Sequence, residues 1–99
     1  MFFDKYLNEI YLGMLYDKYE NWYLEQIDEE NFIKIYNLLK SYGFYFIEDS
    51  IIYYLEVFEY DIDDVENGLL RLKETLGDDF VYLIGNDLSL FEIILSNGE

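Results

Sequence analysis

Along FFDKYLNEIYLGMLYDKYENWYL (residues 2–24), apolar residues fall at Phe3, Leu7, Ile10 and Met14, and again at Tyr11 and Leu15. Steps of three and four predict a helix. Tyr6, Leu12, Tyr16, Tyr19, Trp22 and Tyr23 widen its apolar surface past a single stripe. Such a helix is either central to the core or turns part of an aromatic face toward a partner. A second helix opens at Asp28, a good N-cap, where Glu29 and Glu30 suit the positive end of the helix dipole. Phe32, Ile35, Tyr36, Leu39 and Tyr42 make its apolar face, Lys34 and Lys40 lie toward the other side and the C-terminus, and Gly43 is the natural stop.

After Gly43 the pattern changes. Phe44–Ile47 and Ile51–Phe58 are rich in β-branched and aromatic residues with EDS between them, which reads as a β-hairpin. A helix starting at Ser50 competes, because Ile51, Leu55 and Phe58 also share a helical face; the strand reading is preferred. A third helix is predicted over Ile62–Leu76, with Val65, Leu69 and Leu72 between those two on one face. Its cap is Asp63, in a box with Glu66, or else Asp61. Gly68 weakens its middle by about 1 kcal/mol relative to Ala, and Gly77 ends it. Phe80–Ile84 and Leu90–Leu95 then form a second hairpin around GNDLS. A shift of 36 residues lays FYFIEDSIIYYLEVF (44–58) on FVYLIGNDLSLFEII (80–94), by duplication or by chance agreement of apolar patterns. The expected fold is α+β, one domain over 1–99. An N-terminal helix precedes two helix–hairpin units (α-αββ-αββ), whose four-stranded antiparallel sheet packs against helices.

Composition narrows the class. A chain of 99 residues has little room for a second core. Its 53% hydrophobic content, with twelve Tyr and eight Phe, is unlike that of a disordered acidic tail. No apolar run approaches the ~18 residues of a membrane span. The N-terminus MFFDKYLNEI lacks the basic stretch of a signal peptide and the chain has no Cys, so the cytoplasm is the expected compartment. The absence of Ala and Pro beside abundant Ile, Asn, Tyr and Phe points to an AT-rich coding genome. The net charge of −16 repels nucleic acid and anionic membranes and opposes compaction. Halophilic adaptation explains this charge poorly, because large apolar residues are so plentiful.

Catalytic chemistry finds little support. Without His or Cys there is no base for a nucleophilic triad and no usual zinc ligand set. No phosphate-binding glycine loop is present. With six basic residues in all, direct binding of nucleic acid is rejected. Among 22 acids some pair must meet the ~5–9.5 Å spacing of glycosidase carboxylates, so that spacing carries no information. The run Asp61-x-Asp63-Asp64-x-Glu66 invites a calcium reading. An EF-hand loop begun at Asp61 would place Val65, Glu66 and Leu72 where an acid, Gly and Glu are required. The expectation is no enzyme, no cofactor and no metal.

What remains is the placement of charge. In EVFEYDIDDVE (56–66) six of eleven residues are acids, and no Lys or Arg occurs from Ser41 to Leu70. Residues 74–99 add six acids and no base. Solvated faces usually mix signs, whereas here the predicted helices carry every Lys and Arg and the predicted hairpins carry only acids. Alternate residues on one face of a strand repeat at about 6.6–6.8 Å, a spacing on the scale of phosphates along a nucleic-acid strand. A row through Asp61 and Asp63, with Asp49, Glu56 and Glu59 nearby, would imitate a phosphate track and be steered into a basic groove. The candidate partner-binding residues are Glu48, Asp49, Glu56, Glu59, Asp61, Asp63, Asp64 and Glu66, with Tyr60 as an aromatic anchor. For most of the twelve Tyr, core packing is the simpler assignment.

In size, charge and aromatic content the whole chain resembles small acidic phage-encoded anti-defence proteins, among them anti-CRISPR and anti-restriction inhibitors that mimic nucleic acid. It is also similar to nuclease-immunity proteins. The resemblance implies a non-enzymatic inhibitor whose partner is a basic nucleic-acid-binding protein, a nuclease or a CRISPR effector complex. It transfers no individual residue. Two alternatives stand beside it: an immunity or antitoxin protein that neutralises a basic toxin, and a structural or assembly subunit that oligomerises, as a homodimer in its simplest form.

Overall fold

Asp28 and Asp61 start the two longest helices in the same way. Each has an extended backbone, and its carboxylate accepts a hydrogen bond from the amide two residues on, at 3.0 Å from Glu30 and 2.9 Å from Asp63. The helices that follow, Glu29–Ser41 and Ile62–Leu76, are α3 and α5 of the computed structural model, which describes residues 1–95. Both end ahead of a glycine with positive φ, 89° at Gly43 and 86° at Gly77, where a side chain would be strained. The remaining α-helices are α1 (Glu9–Lys18), α2 (Asn21–Glu25), α4 (Ile47–Tyr53), α6 (Phe80–Asn86) and α7 (Glu92–Leu95). Single 3₁₀ turns lie at Phe2–Lys5, Leu55–Glu59 and Leu88–Phe91.

Among the described residues there is no strand, so the expected α+β fold with a four-stranded antiparallel sheet is wrong. The first predicted hairpin is α4 followed by the 55–59 turn, and the second is α6, the 88–91 turn and α7. The helical reading of residues 50–59 was the better one, though α4 begins at Ile47, ahead of Ser50. Burial on several sides is the reason. Ile47, Ile51, Ile52, Leu55, Val57 and Phe58 are all enclosed, and an all-apolar run of this kind does not distinguish a buried strand from a buried helix. Ser50, also buried, is satisfied within the helix, its hydroxyl donating to the Phe46 carbonyl at 3.0 Å. The order long helix, glycine, short helix, 3₁₀ turn occurs twice, as α3–α4–turn and α5–α6–turn.

The predicted 2–24 helix is broken in two places. Asn8 caps α1, accepting from the Tyr11 amide at 3.0 Å, and the chain turns again between Tyr19 and Glu20 before α2. These breaks reset the helical phase. Phe3, Leu7, Leu15 and Leu24 reach the core, while Ile10, assigned to the buried face by its spacing, is 76% exposed.

The core is aromatic at both ends. Phe32 of α3 stacks on Phe58 of the 55–59 turn, with centroids 4.9 Å apart, and meets Phe3 edge-on at 5.4 Å. Phe91 packs against Phe44 and Tyr54 at 5.9 and 5.5 Å. Helix α3 lies on the 55–59 turn and on α5, α1 on α4, and α7 on α5. At the last contact Gly68 has a packing role that propensity conceals. A Cβ there would sit 3.0 Å from Ile94 Cγ1 and 3.2 Å from the Ile94 Cα, so α7 lies closer to α5 than it would over a side chain, by a few tenths of an ångström.

Candidate partner-binding surface

The acidic run 56–66 folds as a 3₁₀ turn leading into α5. Leu55, Val57 and Phe58 point inward and are fully buried, which turns Glu56 and Glu59 outward. Asp61 caps α5, and Asp63 and Asp64 occupy its exposed first turn. With no strand present, the 6.6–6.8 Å phosphate-like spacing does not apply to these residues. Their arrangement is set by the turn and the helix cap.

Asn31 of α3 anchors this segment. Its side-chain amide donates to the Phe58 carbonyl at 2.9 Å and to the Tyr60 carbonyl at 2.8 Å, fixing the backbone on both sides of Glu59. Gln26, Asp28, Asn31, Phe58, Glu59, Tyr60 and Asp61 line a shallow open groove of about 430 Å³ between the start of α3 and this backbone. Tyr60 is half-buried, and its hydroxyl donates to the Leu95 carbonyl at 3.1 Å, tying the acidic segment to α7.

A second set of tyrosines borders the acids. Tyr23 donates its hydroxyl to Glu59 Oε2, and burial followed by that bond pushes its pKa well above the ordinary 10.0. Tyr19 donates to the Ile52 carbonyl at 2.8 Å; burial, then the charge of Glu56, raises its pKa. Glu59 is thus bonded to Tyr23, and the charges of Glu56 and Glu59 act on both tyrosines. Trp22 lies beside Tyr23 at 6.2 Å between ring centroids and is 61% exposed. The Lys18 ammonium sits 4.8 Å above the Tyr53 ring and 5.7 Å from the Tyr19 ring.

The nine residues singled out in the sequence do not share one surroundings. Glu56, Glu59, Asp61, Asp63 and Asp64 follow one another from the turn into the start of α5. Glu48 and Asp49 lie half-buried in the first turn of α4, where Asp49 accepts from the Tyr11 hydroxyl at 3.0 Å. That bond is the main cause of the raised Tyr11 pKa. Glu66 lies exposed on α5, and its charge, after burial, raises the pKa of Tyr42. Among the described residues no three acidic side chains converge closely enough to hold a metal ion. No helix among them is long and apolar enough to cross a membrane.

Sequence reasoning passed over Asn31. Its signal was faint: a polar residue in the first turn of α3, where acids are favoured, beside the buried Phe32. No protein-family model, no curated protein and no solved structure matches this chain.

Proposed function

We propose that this protein is a non-enzymatic inhibitor that occupies the nucleic-acid-binding surface of a basic protein, a nuclease or a CRISPR effector. The outward-facing acids of the 55–59 turn and the start of α5 are the contact surface. The observation that carries this reading is the packing of Leu55, Val57 and Phe58 into the core. It leaves Glu56 and Glu59 exposed next to Asp61 and Asp63, in a stretch without a Lys or Arg from Ser41 to Leu70. The Asn31 bonds hold that backbone in place, so little ordering is needed on binding. The net charge of −16 steers encounter with a basic groove.

The test begins with affinity capture from the bacterial host, followed by kinetics on the purified target. Association slows steeply as salt is added, and it is suppressed when the target is preloaded with its DNA or RNA. Replacing Glu56, Glu59, Asp61, Asp63 and Asp64 together by Gln or Asn weakens binding strongly. The helix survives because Asn is as good an N-cap as Asp at position 61. A flat salt response with a stable ternary complex, nucleic acid still in its normal groove, refutes mimicry.

A further inference from the structure

Four rings and one cation form a continuous strip beside the acidic turn. Tyr53 and Tyr19 flank the Lys18 ammonium, Tyr19 leads to Tyr23 at 5.6 Å between centroids, and Tyr23 leads to Trp22 at 6.2 Å. The two inner rings are fastened by their hydroxyls to Ile52 and Glu59. The two ends, Tyr53 and Trp22, are 48% and 61% exposed. At the Tyr53 end the ring face already carries the chain's own ammonium. At the Trp22 end the indole lies next to Tyr23, whose hydroxyl is bonded to Glu59.

We infer that the Trp22 end of this strip receives an arginine side chain of the basic partner, with the guanidinium against the indole and Glu59 and Glu56 as its counter-charges. The inference rests on the proposed function in taking the partner to be basic. Charge complementarity selects a cation, since residues 19–33 around the indole offer Glu20, Glu25, Asp28, Glu29 and Glu30 and no base, and the strip's own Lys18 sits at its other end, over Tyr53. The exposed indole selects arginine over lysine. A planar, weakly hydrated guanidinium stacks on aromatic faces, whereas an ammonium keeps its water. Lys18 over Tyr53 shows that a ring of the same strip takes a cation on its face.

Fluorescein-labelled nona-arginine and nona-lysine peptides, titrated with the protein and followed by anisotropy, separate ring from charge. Wild-type protein binds nona-arginine more tightly than nona-lysine. Trp22→Ala weakens nona-arginine by about two- to thirty-fold, the range of a cation–π contact, and weakens nona-lysine less. The exposed position makes the fold insensitive to this change, which circular dichroism checks. As Trp22 is the single tryptophan, its fluorescence in the wild-type protein also responds to nona-arginine, without any substitution. Equal affinity for the two peptides, unaltered nona-arginine binding by Trp22→Ala, or an unresponsive Trp22 signal overturns the inference. Loss of nona-arginine binding in Glu56→Gln/Glu59→Gln but not in Trp22→Ala rejects the indole site and leaves the acidic surface standing. Arginine selectivity through Trp22, without exclusion of nucleic acid from the captured target, rejects the proposed function and leaves the indole site standing.

Discussion

Replacing Asn31 tests whether α3 holds the acidic turn in place. Asn31→Ala removes two hydrogen bonds, to the Phe58 and Tyr60 carbonyls. At about 0.5–1.5 kcal/mol each the gross loss is about 1–3 kcal/mol. Asn31 is half-buried and borders an open groove, so water replaces part of that loss. The higher helix propensity of Ala offsets a further few tenths. The expected net loss is about 1 kcal/mol, or a melting temperature lower by roughly 4–8 °C in a chain of this size. Asn31→Asp is the sharper probe because it keeps the shape and presents acceptor oxygens to the two carbonyls. It also adds charge beside Asp28, Glu59 and Asp61, which line the same groove. Partial relief comes from the helix dipole, worth about 0.3–1 kcal/mol to an acid in the first turn. The net loss at neutral pH is about 2–3 kcal/mol, exceeding that of Ala. The pH dependence has a definite sign. Facing acceptors, the new carboxyl holds its proton above the unfolded value of about 3.9. The penalty is full above the folded pKa and fades as pH falls through it, when the carboxylic acid donates one bond again. Urea unfolding of the three proteins at neutral pH and near the carboxyl range measures this. Hydrogen exchange at the Glu59, Tyr60 and Asp61 amides reports loosening of the turn. An unchanged melting temperature for Asn31→Ala, or Asn31→Asp no less stable than Asn31→Ala at neutral pH, refutes the assignment.

Gly68→Val lowers stability in urea unfolding relative to Gly68→Ala, because a Cβ at this position already meets Ile94 Cγ1 at 3.0 Å and the Ile94 Cα at 3.2 Å, leaving no room for two further methyl groups. Gly68→Val as stable as Gly68→Ala contradicts the close α5–α7 contact. The hydroxyls of Tyr11, Tyr16, Tyr19, Tyr23, Tyr36, Tyr42 and Tyr54 all hold their protons above the ordinary 10.0 in the folded chain. This stability is fully present below pH 10.0 and is lost as pH rises past it, because the unfolded chain releases these protons first. Denaturant midpoints measured across that range fall on the alkaline side; constant midpoints there contradict the tyrosine contribution. Thermal melts shift upward from low to moderate salt, as a Debye length of about 8 Å near 0.15 M screens repulsion among the 22 acids. A downward shift means attractive pairs outweigh that repulsion.

Helices α3 and α5 were legible in the sequence because everything that defines them is local. Asp28 and Asp61 cap them, although a box at Asp63 and Glu66 was the first expectation for α5; Gly43 and Gly77 stop them, and their buried residues recur at three and four within one unbroken phase. The accumulation of acids over residues 56–66 was legible too, as a property of composition. Tertiary structure decided the rest. The runs 44–58 and 80–95 consist of residues suited equally to a strand and to an enclosed helix. Strand preference is chiefly a preference for a half-buried pleated surface. Packing of Phe58 on Phe32, and of Phe91 between Phe44 and Tyr54, encloses these runs on several sides instead. Gly68 looked like a weak point in α5 because its reason lies across space, at Ile94. The same holds for the surface. Residue types alone placed nine candidates together, but only the fold could show Asp49 bonded to Tyr11, Tyr60 tied to Leu95, and Glu59 joined to Tyr23 beside the exposed Trp22. Each of these contacts joins residues far apart in the chain, and pattern within a sequence window carries no information about them.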